Sequence, residues 1–71
     1  MLAITKETRN VVAHSRKEFD EHVEAAKRDK ISTYIEIGPG YQHWMNGNPV
    51  WPGQVILVTA NHLGDVVYSR W

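Results

Sequence analysis

Hydrophobic and polar positions along the chain fall into a few patterned stretches divided by turn-forming residues. Val55 to Trp71 is the most coherent of them. Its segments VILVT and VVYSRW flank ANHLGD and predict an antiparallel β-hairpin. Asn61 suits the first position of a type I turn and Gly64 its last, because Asn hydrogen-bonds its own backbone and Gly takes positive φ at no steric cost. With Ala60 opposite Asp65, Val58 meets Val67 and Ile56 meets Ser69 on one face, while Thr59 meets Val66 and Leu57 meets Tyr68 on the other. Both faces are then largely apolar. A sheet with one wet side alternates more cleanly, so this hairpin requires cover on two sides.

Ile31 to Ile37 alternates strictly and is rich in β-branched residues, which predicts a strand with Ile31, Thr33, Ile35 and Ile37 on one side. Before it, Ser15-Arg16-Lys17-Glu18 forms a capping box in which the serine hydroxyl accepts from the Glu18 N–H and the Glu18 carboxylate returns to the serine N–H. A helix from about Arg16 to Asp29 follows, with Phe19, Val23 and Ala26 as its apolar stripe and His22 beside them. Glu24 and Arg28 add an i,i+4 pair on the wet side. Leu2 to Thr5 is apolar enough for a strand, and Val11 to Ala13 is its continuation or its hairpin partner across KETRN. These elements predict an α+β domain spanning residues 1–71, with one helix packed on a three- to four-stranded antiparallel sheet in the order β(β)αβββ. One helix covers one face of such a sheet, leaving the second for something else.

Between the two strand regions lies GPGYQHWMNGNPVWPGQ, long for a connection in so small a domain and punctuated by Pro39, Pro49 and Pro52. Two tryptophans, Tyr41 and Met45 give it more apolar surface than a solvated linker carries. Tyr41 to Met45 pairing back on Val50-Trp51 across an Asn46-Gly47 type I′ turn predicts a small excursion hairpin. It either folds over the open sheet face as a lid or projects to grip a partner.

At 71 residues a single small core leaves little stability in reserve, and the absence of cysteine removes disulfides and zinc–thiolate sites as staples. Burial against a partner or a second copy is the remaining support. No stretch approaches the roughly 20 apolar residues of a membrane span, and MLAITKETRN lacks the apolar core of a signal peptide, so a cytosolic protein without membrane association is expected.

Formal net charge is zero, which removes long-range attraction to phosphate polymers. The charges concentrate between Lys6 and Lys30. From Ile31 onward only Glu36, Asp65 and Arg70 are charged, whereas six of the seven aromatic residues lie there. A charge-poor half rich in Tyr and Trp has the composition of a protein–protein interface core, and Tyr34, Tyr68 and one Trp are assigned to the fold's own core.

Sites of chemistry are sparse in the pattern. No HxxxH or HxH pair brings two of the four histidines onto one face, and Glu18 with His22 offers an ordinary surface contact before it offers a metal site. Ser32 or Ser69 with His43 lacks an elbow motif, and GPGYQ lacks the spacing and following helix of a phosphate cradle. No metal, no cofactor and no enzymatic activity are therefore expected.

The expected function is that of a non-enzymatic protein–protein interaction module. It would serve as a small stoichiometric inhibitor or adaptor, such as a virus-encoded inhibitor of a host enzyme. The expected contact residues are Tyr41, His43, Trp44 and Trp51, with the two indoles as anchors, and a homodimer through the uncovered sheet face is expected beside the partner protein. The alternative is a single-stranded nucleic-acid-binding or regulatory protein that stacks bases on its aromatic rings, a reading weakened by the shortage of cations around them.

Overall fold

The computed structural model describes residues 8–71, and the strand expected at Leu2 to Thr5 lies outside that range. Six strands and one helix follow in the order β1 (Thr8–Ala13), α1 (Arg16–Asp29), β2 (Ser32–Ile37), β3 (His43–Met45), β4 (Asn48–Val50), β5 (Val55–Ala60) and β6 (Val66–Arg70). The result is an α+β fold with a four-stranded sheet, ordered β1-β2-β5-β6, and a separate two-stranded sheet of β3 and β4.

The helix starts where the capping box requires. Ser15 Oγ accepts from the Glu18 N–H at 3.2 Å, and Lys30 closes the far end in the left-handed region at φ 56°. The reciprocal half of the box differs by one residue: the Glu18 carboxylate accepts from the His14 N–H at 2.9 Å, not from Ser15. The Glu24–Arg28 pair does not form. Glu24 pairs with Lys27 at 3.6 Å, and Arg28 turns to its neighbour Asp29. Phe19, Val23 and Ala26 are buried as the stripe demands, while His22 places Nε2 3.0 Å from the Val12 carbonyl.

The expected all-antiparallel sheet is corrected at β1, which runs parallel to β2, Thr8 facing Ser32 and Ala13 facing Ile37. Thr8 to Asn10, a turn only if Val11 to Ala13 were a hairpin partner, belong to this strand. The physical reason lies in the connection. A 14-residue helix carries the chain from the end of β1 back to the start of β2, as a parallel neighbour needs and a hairpin partner does not. Arg9 at the start of β1 reaches Asp29 at the end of the helix at 3.0 Å. With Arg28 and Arg9 both donating to it, the Asp29 carboxyl is lowered to about 2.

The β5–β6 hairpin also differs in register by one residue. Ala60 faces Val66, Thr59 faces Val67, Val58 faces Tyr68 and Leu57 faces Ser69. The turn itself is the expected one, with the Gly64 N–H donating to the Asn61 carbonyl at 3.1 Å and Asn61 Oδ1 accepting from Leu63 and Asp65. Gly64, at φ 86°, then enters as an extra residue, and the Asn61 N–H bonds the Asp65 carbonyl at 3.1 Å. A type I turn closed by a glycine bulge adds one residue to the loop, which moves every later pair by one.

Alternation along the paired strands defines two faces. One carries Val11, Ala13, Thr33, Ile35, Ile37, Ile56, Val58, Val66 and Tyr68, and α1 lies on it; Ala13, Ile35, Ile37, Ile56 and Val58 are fully buried there. The other carries Val12, Tyr34, Glu36, Val55, Leu57, Thr59, Val67 and Ser69.

Candidate functional site

Between β2 and β5 the chain leaves the sheet and returns through a narrow neck. The Ile37 N–H bonds the Gln54 carbonyl at 2.9 Å, and the Gly53 N–H bonds the Ile37 carbonyl at 2.8 Å. Pro39-Gly40 and Pro52-Gly53 turn the chain on either side, their turns closed from Tyr41 to Gly38 and from Gln54 to Trp51. At the tip, Asn46 and Gly47 both take positive φ, 53° and 80°, the type I′ geometry expected of that dipeptide. Met45 faces Asn48, Trp44 faces Pro49 and His43 faces Val50.

This arm neither caps the open sheet face nor stands free. Its inner side, His43 and Val50, is buried against the helix side of the sheet, where the imidazole stacks on the Phe19 ring at 4.0 Å and 26°. Tyr41 Oη lies 2.7 Å from His43 Nδ1. Of the residues expected to make contact, Tyr41 and His43 therefore serve as floor and support, with His43 only 4% exposed. Trp44 and Trp51 are displayed, at 57% and 56% exposure.

Tyr41, His43 and Trp44 are brought together, and a groove of about 440 Å³ opens beside them. Phe19 and His43 form its floor, Trp44 and Tyr68 line it, and Arg16 and Asp20, paired at 3.1 Å, stand on its helix side. Trp51 does not line this groove. It follows β4 at the neck, its N–H bonded to Gln54 Oε1 at 3.0 Å. The Arg16–Asp20 contribution is an i,i+4 pair open to recognition from spacing alone. That of Tyr68 was not, because the glycine bulge decides which face it occupies.

Burial shapes the titration of the groove floor. It lowers His43 below the ordinary histidine value, helped by the nearby Arg16 guanidinium, and it raises the Tyr41 phenol. A neutral ring whose Nδ1 accepts from the phenol carries its proton on Nε2. The consequence for stability has a definite sign. Protonating His43 is harder in the folded state than in the unfolded chain, so the unfolded state binds more protons as pH falls below about 6.5. Stability is expected to hold above that pH, to fall below it, and to level off once the folded-state value is passed. Urea titrations of the wild type and His43→Phe across pH 7 to 4 check this. The variant keeps a ring on Phe19 and loses this part of the slope; an unchanged slope would assign the effect elsewhere.

The open face forms a second surface. Tyr34 meets Trp71 edge to face at 5.3 Å and 75°, and around them Val12, Val67 and Trp71 are exposed, the last two at 62% and 77%. Among the described residues, Glu36 is the only charged strand residue on this face. Neither α1 nor the buried side of the arm reaches it.

Among the described residues, no three His, Asp or Glu side chains gather as metal ligands, and no buried side-chain nitrogen or oxygen lacks a hydrogen-bond partner. No helix among them is long and apolar enough to cross a membrane. Comparison with protein-family models, with curated proteins and with solved structures finds no match for the chain.

Proposed function

We propose that this chain is a non-enzymatic protein–protein interaction module, an inhibitor or adaptor acting by stoichiometric binding, whose partner protein seats on the open face of the four-stranded sheet. One observation supports the proposal: helix and arm both pack on the same side, so no layer among the described residues lies over the face on which Val12, Val67 and Trp71 are exposed and Tyr34, Val55 and Leu57 are half-buried. Apolar and aromatic side chains with a single carboxylate among them lose little on desolvation, which is the chemistry of a protein interface core. Trp44 and Trp51, displayed on the other side by the arm, are the second candidate contacts.

A single strand of nucleic acid could stack on Tyr34 and Trp71, but it needs cations along its backbone, and this face offers Glu36. The experiment is affinity capture from the native host, followed by mass spectrometry, with wild type, Leu57→Lys and the pair Trp44→Ala, Trp51→Ala run side by side. The proposal expects one protein to be retained by wild type and by the double variant and lost with Leu57→Lys, while far-UV circular dichroism stays the same in all three. Retention by Leu57→Lys and loss with the double variant would move the interface to the arm.

A further inference from the structure

The groove of about 440 Å³ beside the arm presents a polar group that the fold itself leaves unused. His43 is 4% exposed, and its Nδ1 is engaged by the Tyr41 hydroxyl at 2.7 Å. Nε2 therefore carries the proton of the neutral ring, and no described residue accepts it. Among the described residues, every side-chain nitrogen or oxygen shut off from solvent has a hydrogen-bond partner, so Nε2 is not shut off. The opening that His43 lines is this groove. A donor so placed is met by water, or by an acceptor that a ligand brings in.

Arg16 supplies a second set of donors. Its Nε donates to Asp20 Oδ1 at 3.1 Å, which leaves the terminal amino groups of the guanidinium without an acceptor among the described residues. Burial keeps His43 neutral, and the Arg16 charge is near enough to add to that effect. The groove thus offers one permanent cation and one neutral donor. A planar carboxylate brings the matching acceptors. A phosphate dianion would meet a single cation already shared with Asp20, and an organic cation would have the Arg16 charge against it.

The remaining lining sets the body of the ligand. Trp44 from β3 and Tyr68 from β6, 57% and 41% exposed, line the groove whose floor is Phe19 and His43. Aromatic faces of this kind take a flat apolar ring. The volume lies within the roughly 300–1,000 Å³ of small-molecule sites.

We propose that the groove binds a small aromatic monocarboxylate, its ring against Trp44 and Tyr68 and its carboxylate on His43 Nε2 and the terminal amino groups of Arg16. This inference is separate from the reading that a partner protein seats on the open face. The open face lies on the other side of the sheet and shares none of these residues.

Isothermal titration of the full chain with cinnamate as the probe is expected to give a saturable one-to-one complex, and the His43 Nε2–H resonance to shift along with it. Cinnamamide keeps the ring and loses the charge, and is expected to bind about tenfold more weakly. Arg16→Gln and Trp44→Ala, both at exposed positions, should each weaken cinnamate by roughly tenfold with far-UV circular dichroism unchanged. Asp20→Asn releases the guanidinium, and should tighten the complex roughly threefold. His43→Phe keeps a ring on Phe19 and removes the donor, for a further loss of roughly tenfold; should it fail to fold, the exposed variants carry the test. N-acetylphenylalanine offers the same two groups as a peptide chain end does: tighter binding than cinnamate would assign the site to a C-terminus, weaker binding to a free acid. No saturable binding of cinnamate in the millimolar range, equal binding of cinnamamide, or tighter binding of phenyltrimethylammonium would overturn the inference and leave the open-face proposal to its own capture experiment. A complex that survives Trp44→Ala and is lost with Leu57→Lys would overturn it too, by placing the ring on the open face.

Discussion

Phe19→Ala is expected to lose about 3–5 kcal/mol of stability, the range found when a buried phenylalanine is cut back to alanine. The ring is 2% exposed and joins two otherwise separate parts of the molecule. It belongs to the helix stripe buried on the sheet, and it is the surface on which His43 of the arm stacks. Truncation opens a cavity under the helix and unseats the imidazole together. For a chain of this length the whole folding free energy is of order 4–10 kcal/mol, so the variant would keep little or none of it. Urea unfolding followed by circular dichroism and tryptophan fluorescence measures the loss. Trp44, which shares the arm with His43, should report disorder of the arm at denaturant concentrations where the sheet still holds. A loss below about 1.5 kcal/mol would mean that the arm and the helix do not depend on this ring.

Gly38→Ala is the second large effect, expected at about 1–3 kcal/mol. Gly38 is buried at the neck of the arm, where its N–H bonds the Ala13 carbonyl at 2.8 Å. A Cβ added there would stand 2.7 Å from His14 Cδ2 and 3.0 Å from the Ala13 oxygen. The imidazole can swing away, but the carbonyl belongs to β1, so the strand or the neck must shift. His14 also donates its backbone N–H to Glu18, a bond that holds the Glu18 carboxyl below its ordinary range. Displacement of His14 therefore reaches the helix N-terminus. Thermal unfolding should show the lowered midpoint, and a wild-type midpoint would mean that the contact relaxes freely.

Much of this architecture was legible in the chain, and the illegible parts have physical causes. Ser15 with Glu18 located the helix start, strict alternation located β2, and Asn46-Gly47 located the tip of the arm, because each rests on chemistry within a few residues of itself. The parallel placement of β1 was encoded less directly. A helix of that length between two strand-like segments is itself the signature of a parallel neighbour, and the apolar content of Val11 to Ala13 alone does not distinguish it from a hairpin partner. The register of β5 and β6 turned on a single residue. Asn61 and Gly64 fit a four-residue turn equally well with or without the bulge, so the pattern did not fix whether Tyr68 or Val67 joins the open face. The seat of the arm was not legible at all, since the stacking of His43 on Phe19 joins residues far apart in sequence.

Of the surface, the shortage of cover for one sheet face was foreseeable from a count of amphipathic elements. Which residues crown it was not. Tyr34 and Trp71 meet only because β5 lies between their strands and the bulge sets the parity of everything after it.

The neck at Ile37, Gly53 and Gln54 has a practical corollary. It fixes both ends of the arm independently of what lies at the tip, and at Gly47 an added Cβ would meet nothing within 4 Å. A foreign epitope spliced between Asn46 and Gly47 would start from anchored stems, and each doubling of its length would add only about 0.6 kcal/mol of closure entropy. The protein is in that sense a ready-made display scaffold, with a cargo loop that can be exchanged while the four-stranded sheet is left alone.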